Sequence, residues 1–226
     1  MKYLHEIVEL YNQNANREIA QPMEAYMKHM FPFYGVKRPQ RNELQRAFFK
    51  QYGLPKADEL AELTRGLWAM PQRELHYFAM DLLVKLRKRL PEDFIIVLEE
   101  MIINNSWWDT VDLIAGKLVS VHFQRFPHLR DKWIGKWRKS DNIWLRRTCL
   151  LFQLHHKEAT DVVLLFSLIR ENLGSKEFFI NKAIGWSLRE YSKTDAKVVI
   201  DFVENTELTN LSKREALKWL KNKGRI

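Results

Sequence analysis

Three stretches of the chain place chemistry-bearing side chains on helices. In residues 176–192, a wheel of about 100° per residue gathers Ile180, Ala183, Ile184, Ser187, Leu188 and Tyr191 into one apolar stripe. Lys182, Arg189 and Glu190 form the polar side, with Trp186 among them. A tryptophan there leaves apolar area in water unless a neighbouring element or a ligand covers it. In residues 109–124 the stripe is Val111, Ile114, Ala115, Leu118 and Val121. Asp112 lies off it, and Trp108 sits one turn earlier on the same side. An aromatic face and a carboxylate then point into one space, and both favour positive charge. The plainer alternative makes Trp108 the edge of the core and Asp112 a solvated or capping acid. Residues 142–154 are apolar nearly all round and are expected to be buried. Arg146 and Arg147 interrupt them, so each must pair with an acid or reach a cavity holding water or phosphate.

These residues need elements to hold them, and the chain supplies only one kind. It has 226 residues, of which 46% are apolar, enough for a sizeable core. Eight glycines are few, and none marks a convincing hairpin turn. Helical periods run throughout instead. Pro39 opens and Gly53 closes one such segment. Residues 71–90 carry Leu75, Phe78, Ala79, Leu82, Leu83 and Leu86 on one stripe. Similar stripes recur to residue 222. The expectation is an all-α protein of about thirteen helices.

A repeat organises them. Ser106, Ser140, Ser175 and Ser212 look like helix N-caps. Their spacings are 34, 35 and 37 residues, and Pro71 lies 35 before Ser106. Asp109 and Glu215 fall three residues after two of the serines, as a capping box requires. Each serine precedes a helix, a turn and a second helix. Such a period marks a solenoid of helix pairs. The tetratricopeptide pattern is missing, and short HEAT-like pairs fit better, stacked into a curved array with one helix series lining the concave side. Counted from the serines, Asp112 is at +6, Arg147 at +7 and Lys182 at +7, so one concave surface would present all three. No linker divides the chain, and 1–226 is expected to form one domain.

Composition narrows the function classes. Lys and Arg total 37 against 28 Asp and Glu, giving +9. Residues 117–147 hold nine Lys/Arg against Asp131 and Asp141. A basic domain favours an anionic partner, nucleic acid above all. No run approaches the 18 apolar residues of a membrane span. MKYLHEIVELYNQN lacks the apolar stretch of a secretory signal. Cys149 is the only cysteine, which excludes internal disulfides and a cysteine-rich zinc site and suits a cytoplasmic setting. There is no phosphate-cradling glycine loop, HExxH or nucleophile elbow. His155 and His156 are adjacent and face different ways on a helix. No metal or cofactor is expected.

At these same residues the chain resembles a known family. SWWDTVD (106–112), SDNIWLRR (140–147) and SKEFFINKAIGWSLREY (175–191) are similar to motifs of the AlkD-like DNA glycosylases. So are PMEAYMKHMFPFYGVKRPQR (22–41) and SKREA (212–216). The resemblance implies HEAT-like repeats and excision of cationic alkylated purines, notably 3-methyladenine and 7-methylguanine, from duplex DNA. It places a catalytic aspartate at Asp112, sugar-facing tryptophans at Trp108 and Trp186, and an active-site arginine holding a phosphate at Arg147. Tyr26 matches a tyrosine near the lesion. Lys37-Arg38-Pro39 replaces a polar Gln-Thr before the proline, and both versions can serve a phosphate. The further cations expected on DNA are Arg41, Arg146, Lys182, Arg189, Lys213 and Arg214, although a solvated C-terminal helix explains the last two equally well. The resemblance further implies that the damaged base is approached from the backbone side, with no base-sized cavity enclosing it. A monomer suffices for such a task. Two other readings stay open at this level: a non-catalytic binder of DNA structure and a protein-binding helical scaffold.

Overall fold

The computed structural model describes residues 2–226. Among them all regular structure is helical, and the chain divides into two compact units, Met1–Asn105 and Ser106–Ile226.

The first unit contains α1 (Lys2–Gln13), α2 (Arg17–Tyr26), α3 (Arg38–Tyr52), α4 (Leu60–Trp68), α5 (Arg73–Leu86) and α6 (Ile95–Ile103). α4 is packed against α1, α5 and α6. The stripe expected on α5 is its core face, since Leu75, Phe78, Ala79, Leu82, Leu83 and Leu86 are all buried. Gly53 ends α3 at φ 76°, a left-handed conformation that glycine takes without strain.

The second unit is built from helix pairs. Its first rod is α7 (Trp108–Leu113), a π turn (Ile114–Val119) and α8 (Ser120–Arg125), followed by α9 (Pro127–Trp137). Then come α10 (Ile143–Leu151) with α11 (Val162–Arg170), α12 (Phe178–Tyr191) with α13 (Ala196–Glu204), and finally α14 (Asn210–Asn222). α7 touches α10, α10 touches α12, and α12 packs most extensively on α14. Helices one repeat apart are therefore neighbours, as stacked pairs require. Because the π turn joins α7 and α8 into one rod, the fourteen α-helices of the described residues make thirteen rods.

Three details differ from the sequence reading. The stripe in 109–124 slips by one residue. Val111, Ile114, Ala115 and Leu118 are buried as expected, but burial continues through Val119, His122 and Phe123, while Val121 is only half-buried. The π turn inserts one residue into the helical period and rotates the remainder of the rod. Ser140, Ser175 and Ser212 lie at or near helix starts without being N-caps. Ser140 Oγ accepts from Asn142 N–H at 3.1 Å, and Ser175 Oγ accepts from Glu177 N–H at 3.2 Å. These are local turns ahead of the helix. The cap of α10 is Asn142, whose side chain accepts from Trp144 and Leu145. Ser212 is inside α14 and donates to the Asn181 carbonyl of α12 at 2.8 Å, while Thr209 caps the helix. Glu215 consequently completes no box with Ser212 and faces α12 instead.

α12 and α14 cross at very short range. A Cβ placed on Gly185 would stand 2.5 Å from Glu215 Cβ and 2.8 Å from the Ser212 carbonyl oxygen. Only glycine lets these backbones meet, and the crossing sits beside Trp186. Gly185→Ala is expected to destabilise the chain by about 1–3 kcal/mol through overpacking. The urea midpoint should fall with little change in its slope; an unchanged midpoint would mean the crossing has slack.

Candidate active site

Asp112 is delivered by α7 and Arg147 by α10, and the two form a forked ion pair. Arg147 Nε donates to Asp112 Oδ1 at 2.7 Å and Nη2 donates to Oδ2 at 2.8 Å. Arg147 Nη1 donates to the Phe179 carbonyl at the start of α12. One guanidinium thus ties three successive repeats together. Its side chain is 3% exposed and that of Asp112 14%. Of the two fates open to an arginine in so apolar a helix, pairing with an acid is realised. Burial pushes the Asp112 carboxyl above the usual aspartate range, Arg147 pulls it back, and Asp109 adds to the rise. The net effect is upward.

Behind the fork stands an aromatic wall. Trp107, Trp144 and Phe179 come from the same three repeats, and both indole rings lie 5.1 Å from the Phe179 ring. In front of it opens a cavity of about 350 Å³, lined by Asp112, Arg147, Trp108, Trp186 and the start of α12. It is partly open to solvent. Trp108 and Trp186 supply its walls rather than packing wholly into the core.

Lys182 and Arg189 flank Trp186, at four residues before and three after it, and also line the cavity. Each is tied to Glu215 of α14. Lys182 Nζ lies 2.7 Å from Oε1 and Arg189 Nη1 lies 2.7 Å from Oε2. Lys182 and Arg189 hold the Glu215 carboxyl below the usual glutamate range.

The other candidate residues are placed differently. Arg146 is half-buried and does not line the cavity, and its Nε is buried without a hydrogen-bond partner. Lys213 and Arg214 are exposed on α14. In the first unit, Tyr26 is 70% exposed at the end of α2, and Lys37 and Arg38 are exposed at the start of α3. Arg41, expected as a surface cation, is packed inside that unit at 8% exposure. Its guanidinium lies over the Tyr77 ring at 4.5 Å and pairs with Asp81 at 3.4 Å. The helix turn that shows Lys37 and Arg38 to water turns Arg41 inward.

Phe178 and Phe179 line the cavity and are missed by the sequence reading. A signal is present. Phe178, Lys182 and Trp186 follow one another at four-residue steps, a single row on α12. Phe178 is 57% exposed, an unusual position for a phenylalanine unless that row faces a ligand.

Two comparisons bear on this geometry. Residues 7–220 match the family model described as DNA alkylation repair enzyme. The chain therefore belongs to the DNA alkylation repair enzyme family. It is similar to the solved structure of a predicted DNA alkylation repair enzyme from Enterococcus faecalis, with 33% identity over 91% of this chain and 96% of that one and a TM-score of 0.82. A search of curated proteins found no match.

The Glu215 cluster gives a pH test with a definite sign. Its carboxyl is depressed in the folded chain, so the stability it contributes is complete above the ordinary glutamate value of about 4.3 and is lost as pH falls through the depressed folded value. The Tm difference between the wild type and Glu215→Gln should therefore shrink below pH of about 4.3. A difference that stays constant from pH 6 to 3 would count against the ion pairs.

Proposed function

We propose that this DNA alkylation repair enzyme is a monofunctional DNA glycosylase that hydrolyses the N-glycosidic bond of cationic purines such as 3-methyladenine and 7-methylguanine in duplex DNA. The observation that carries this reading is a carboxylate held by an arginine fork at a cavity walled by two tryptophans.

Breaking the bond between deoxyribose and an alkylated purine builds positive charge on the sugar, as in glycoside hydrolysis. The bonding pair leaves with the purine nitrogen and neutralises the base, so no leaving-group acid is needed. Water supplies the oxygen that bonds to the sugar and gives up a proton. In this reading Asp112 stabilises that cation and receives or orients the water. Trp108 and Trp186 would present negative ring faces to the base and sugar, worth about 0.5–2 kcal/mol each.

Arg147 acts first on Asp112. Both oxygens of the carboxylate are held by one rigid fork, which fixes the rotamer and favours the ionised form against burial. This gives Arg147 a positioning role in addition to any contact with a phosphate. Lys37, Arg38, Lys182, Arg189, Lys213 and Arg214 supply cations for the DNA backbone. Arg41 is left out because it is packed. An open cavity would tolerate adducts larger than a methyl group. The protein would act as a cytoplasmic monomer, and no described helix is long and apolar enough to cross a membrane.

The direct test is release of 7-methylguanine from a methylated duplex by the wild type and by Asp112→Asn. Release by the wild type with a loss of roughly 10²-fold or more in the variant is expected. Folded wild type that binds duplex DNA without releasing base would sink the enzyme reading and leave a DNA-structure binder. The pH profile adds a second test. Activity needs ionised Asp112, whose carboxyl is raised by burial. Single-turnover rates should start to fall with decreasing pH above the ordinary aspartate value of about 3.9. Arg147→Lys, which cannot form the fork, should move that limb to still higher pH.

A further inference from the structure

One buried carboxylate in the first unit is unused by the proposed chemistry. Glu74 is in the first turn of α5 and is fully buried. It accepts from three consecutive backbone amides. Tyr34 N–H donates to Oε2 at 3.0 Å, Gly35 N–H to Oε1 at 2.9 Å and Val36 N–H to Oε1 at 3.1 Å. The chain reaches this clamp by an irregular path with Lys28 and His29 at φ 57° and 56°. It is pinned elsewhere as well. Asn16 N–H donates to the Tyr34 carbonyl at 2.7 Å, and Arg73 N–H donates to the Pro32 carbonyl at 3.0 Å. Gly35 has φ 90°, and a Cβ there would fall 2.0 Å from the Asn16 oxygen.

The basic turn lies immediately beyond the clamp. Val36 is the last clamped residue, and Lys37 and Arg38 come next, both exposed, opening α3. Three amides in a row leave little freedom in the backbone that aims these two side chains. A carboxylate suits the task because its two oxygens carry about four acceptor sites and no donor. A glutamine would turn its NH2 toward one of the amides. Burying a charge is costly, and the amide dipoles offset only part of that cost, so burial still holds the carboxyl above the usual glutamate range.

We propose that Glu74 is a positioning residue for DNA binding, acting through the backbone of residues 34–36 to aim Lys37 and Arg38 at adjacent phosphates. This rests on the reading that these two cations contact DNA. A purely structural Glu74 would affect stability alone.

The experiment is fluorescence-anisotropy titration of an unmodified labelled duplex between 50 and 200 mM salt. It compares wild type, Glu74→Gln, the double variant K37A/R38A, and all three changes together. Each lost phosphate contact should reduce the salt slope by about 0.9, or roughly eightfold in affinity at 0.1 M salt. The double variant is expected to lose up to two contacts. Glu74→Gln should lower the slope and the affinity in the same direction. In the K37A/R38A background it should add less than a twofold loss. Losses that add independently, or a Glu74→Gln slope equal to the wild type, would overturn the role of Glu74 while leaving the two cations as contacts. An unchanged slope in K37A/R38A would overturn both. If Glu74→Gln does not fold, Glu74→Asp carries the same comparison. Hydrogen exchange on the wild type decides independently of any variant. Amides of residues 34–36 protected in the free protein support the clamp; protection gained only with duplex present would show that DNA, not Glu74, orders the turn.

Discussion

The ion pair between Arg147 and Asp112 is the constraint around which the second unit is arranged. Neither charge is tolerable alone at that depth. An unpaired arginine in α10 would face apolar neighbours, and an unpaired carboxylate would be driven to take up a proton. Their geometry is demanding because the fork needs both oxygens in one plane at hydrogen-bond distance. It is met only when α7, α10 and the start of α12 hold their mutual register. Stacked repeats provide that register, since each helix is located by the one before it. Fold and site are thus two descriptions of one packing arrangement.

Two local departures from regular helix make the arrangement possible. The π turn separates the phase of α7, which must aim Trp108 and Asp112, from the phase of α8, which must bury His122 and Phe123. An uninterrupted α-helix would satisfy one requirement at the expense of the other. The Gly185 crossing brings α14 close enough for Glu215 to reach both Lys182 and Arg189. That contact braces the face of α12 from which Trp186 projects. π turns are often found at functional sites, and here the turn begins two residues beyond the carboxylate.

Much of this is readable from residue types alone. The apolar stripes locate nearly every rod, because burial follows the helical period wherever the helix is regular. Asp112, Arg147, Trp108 and Trp186 stand out because each breaks its stripe, and they do line one cavity. The misses have specific causes. The π turn carries no composition signal, so periodicity misplaces the stripe past Leu118 by one residue. Serine is favoured both as an N-cap and in turns just ahead of one, and periodicity cannot separate the two. Arg41 shares a basic segment with Lys37 and Arg38, and only the tertiary contact with Tyr77 and Asp81 sends it inward. The Arg147 fork is foreseeable as a need for some acid but not as a choice of Asp112. That choice depends on two helices 35 residues apart meeting in space.

The Glu215 pairs also bear on how DNA affinity would respond to salt. Lys182 and Arg189 each have a carboxylate partner inside the folded chain. A cation already paired within the protein holds no mobile anion of its own. If it turns to a phosphate, one fixed negative group replaces another, and the carboxylate left behind must collect a counterion from solution. The net release of ions on binding is then smaller than a count of basic residues near the cavity suggests. The cavity face of this enzyme is therefore less of an electrostatic magnet than its net charge of +9 implies. Its attraction for DNA is weighted toward cations that have no such internal partner.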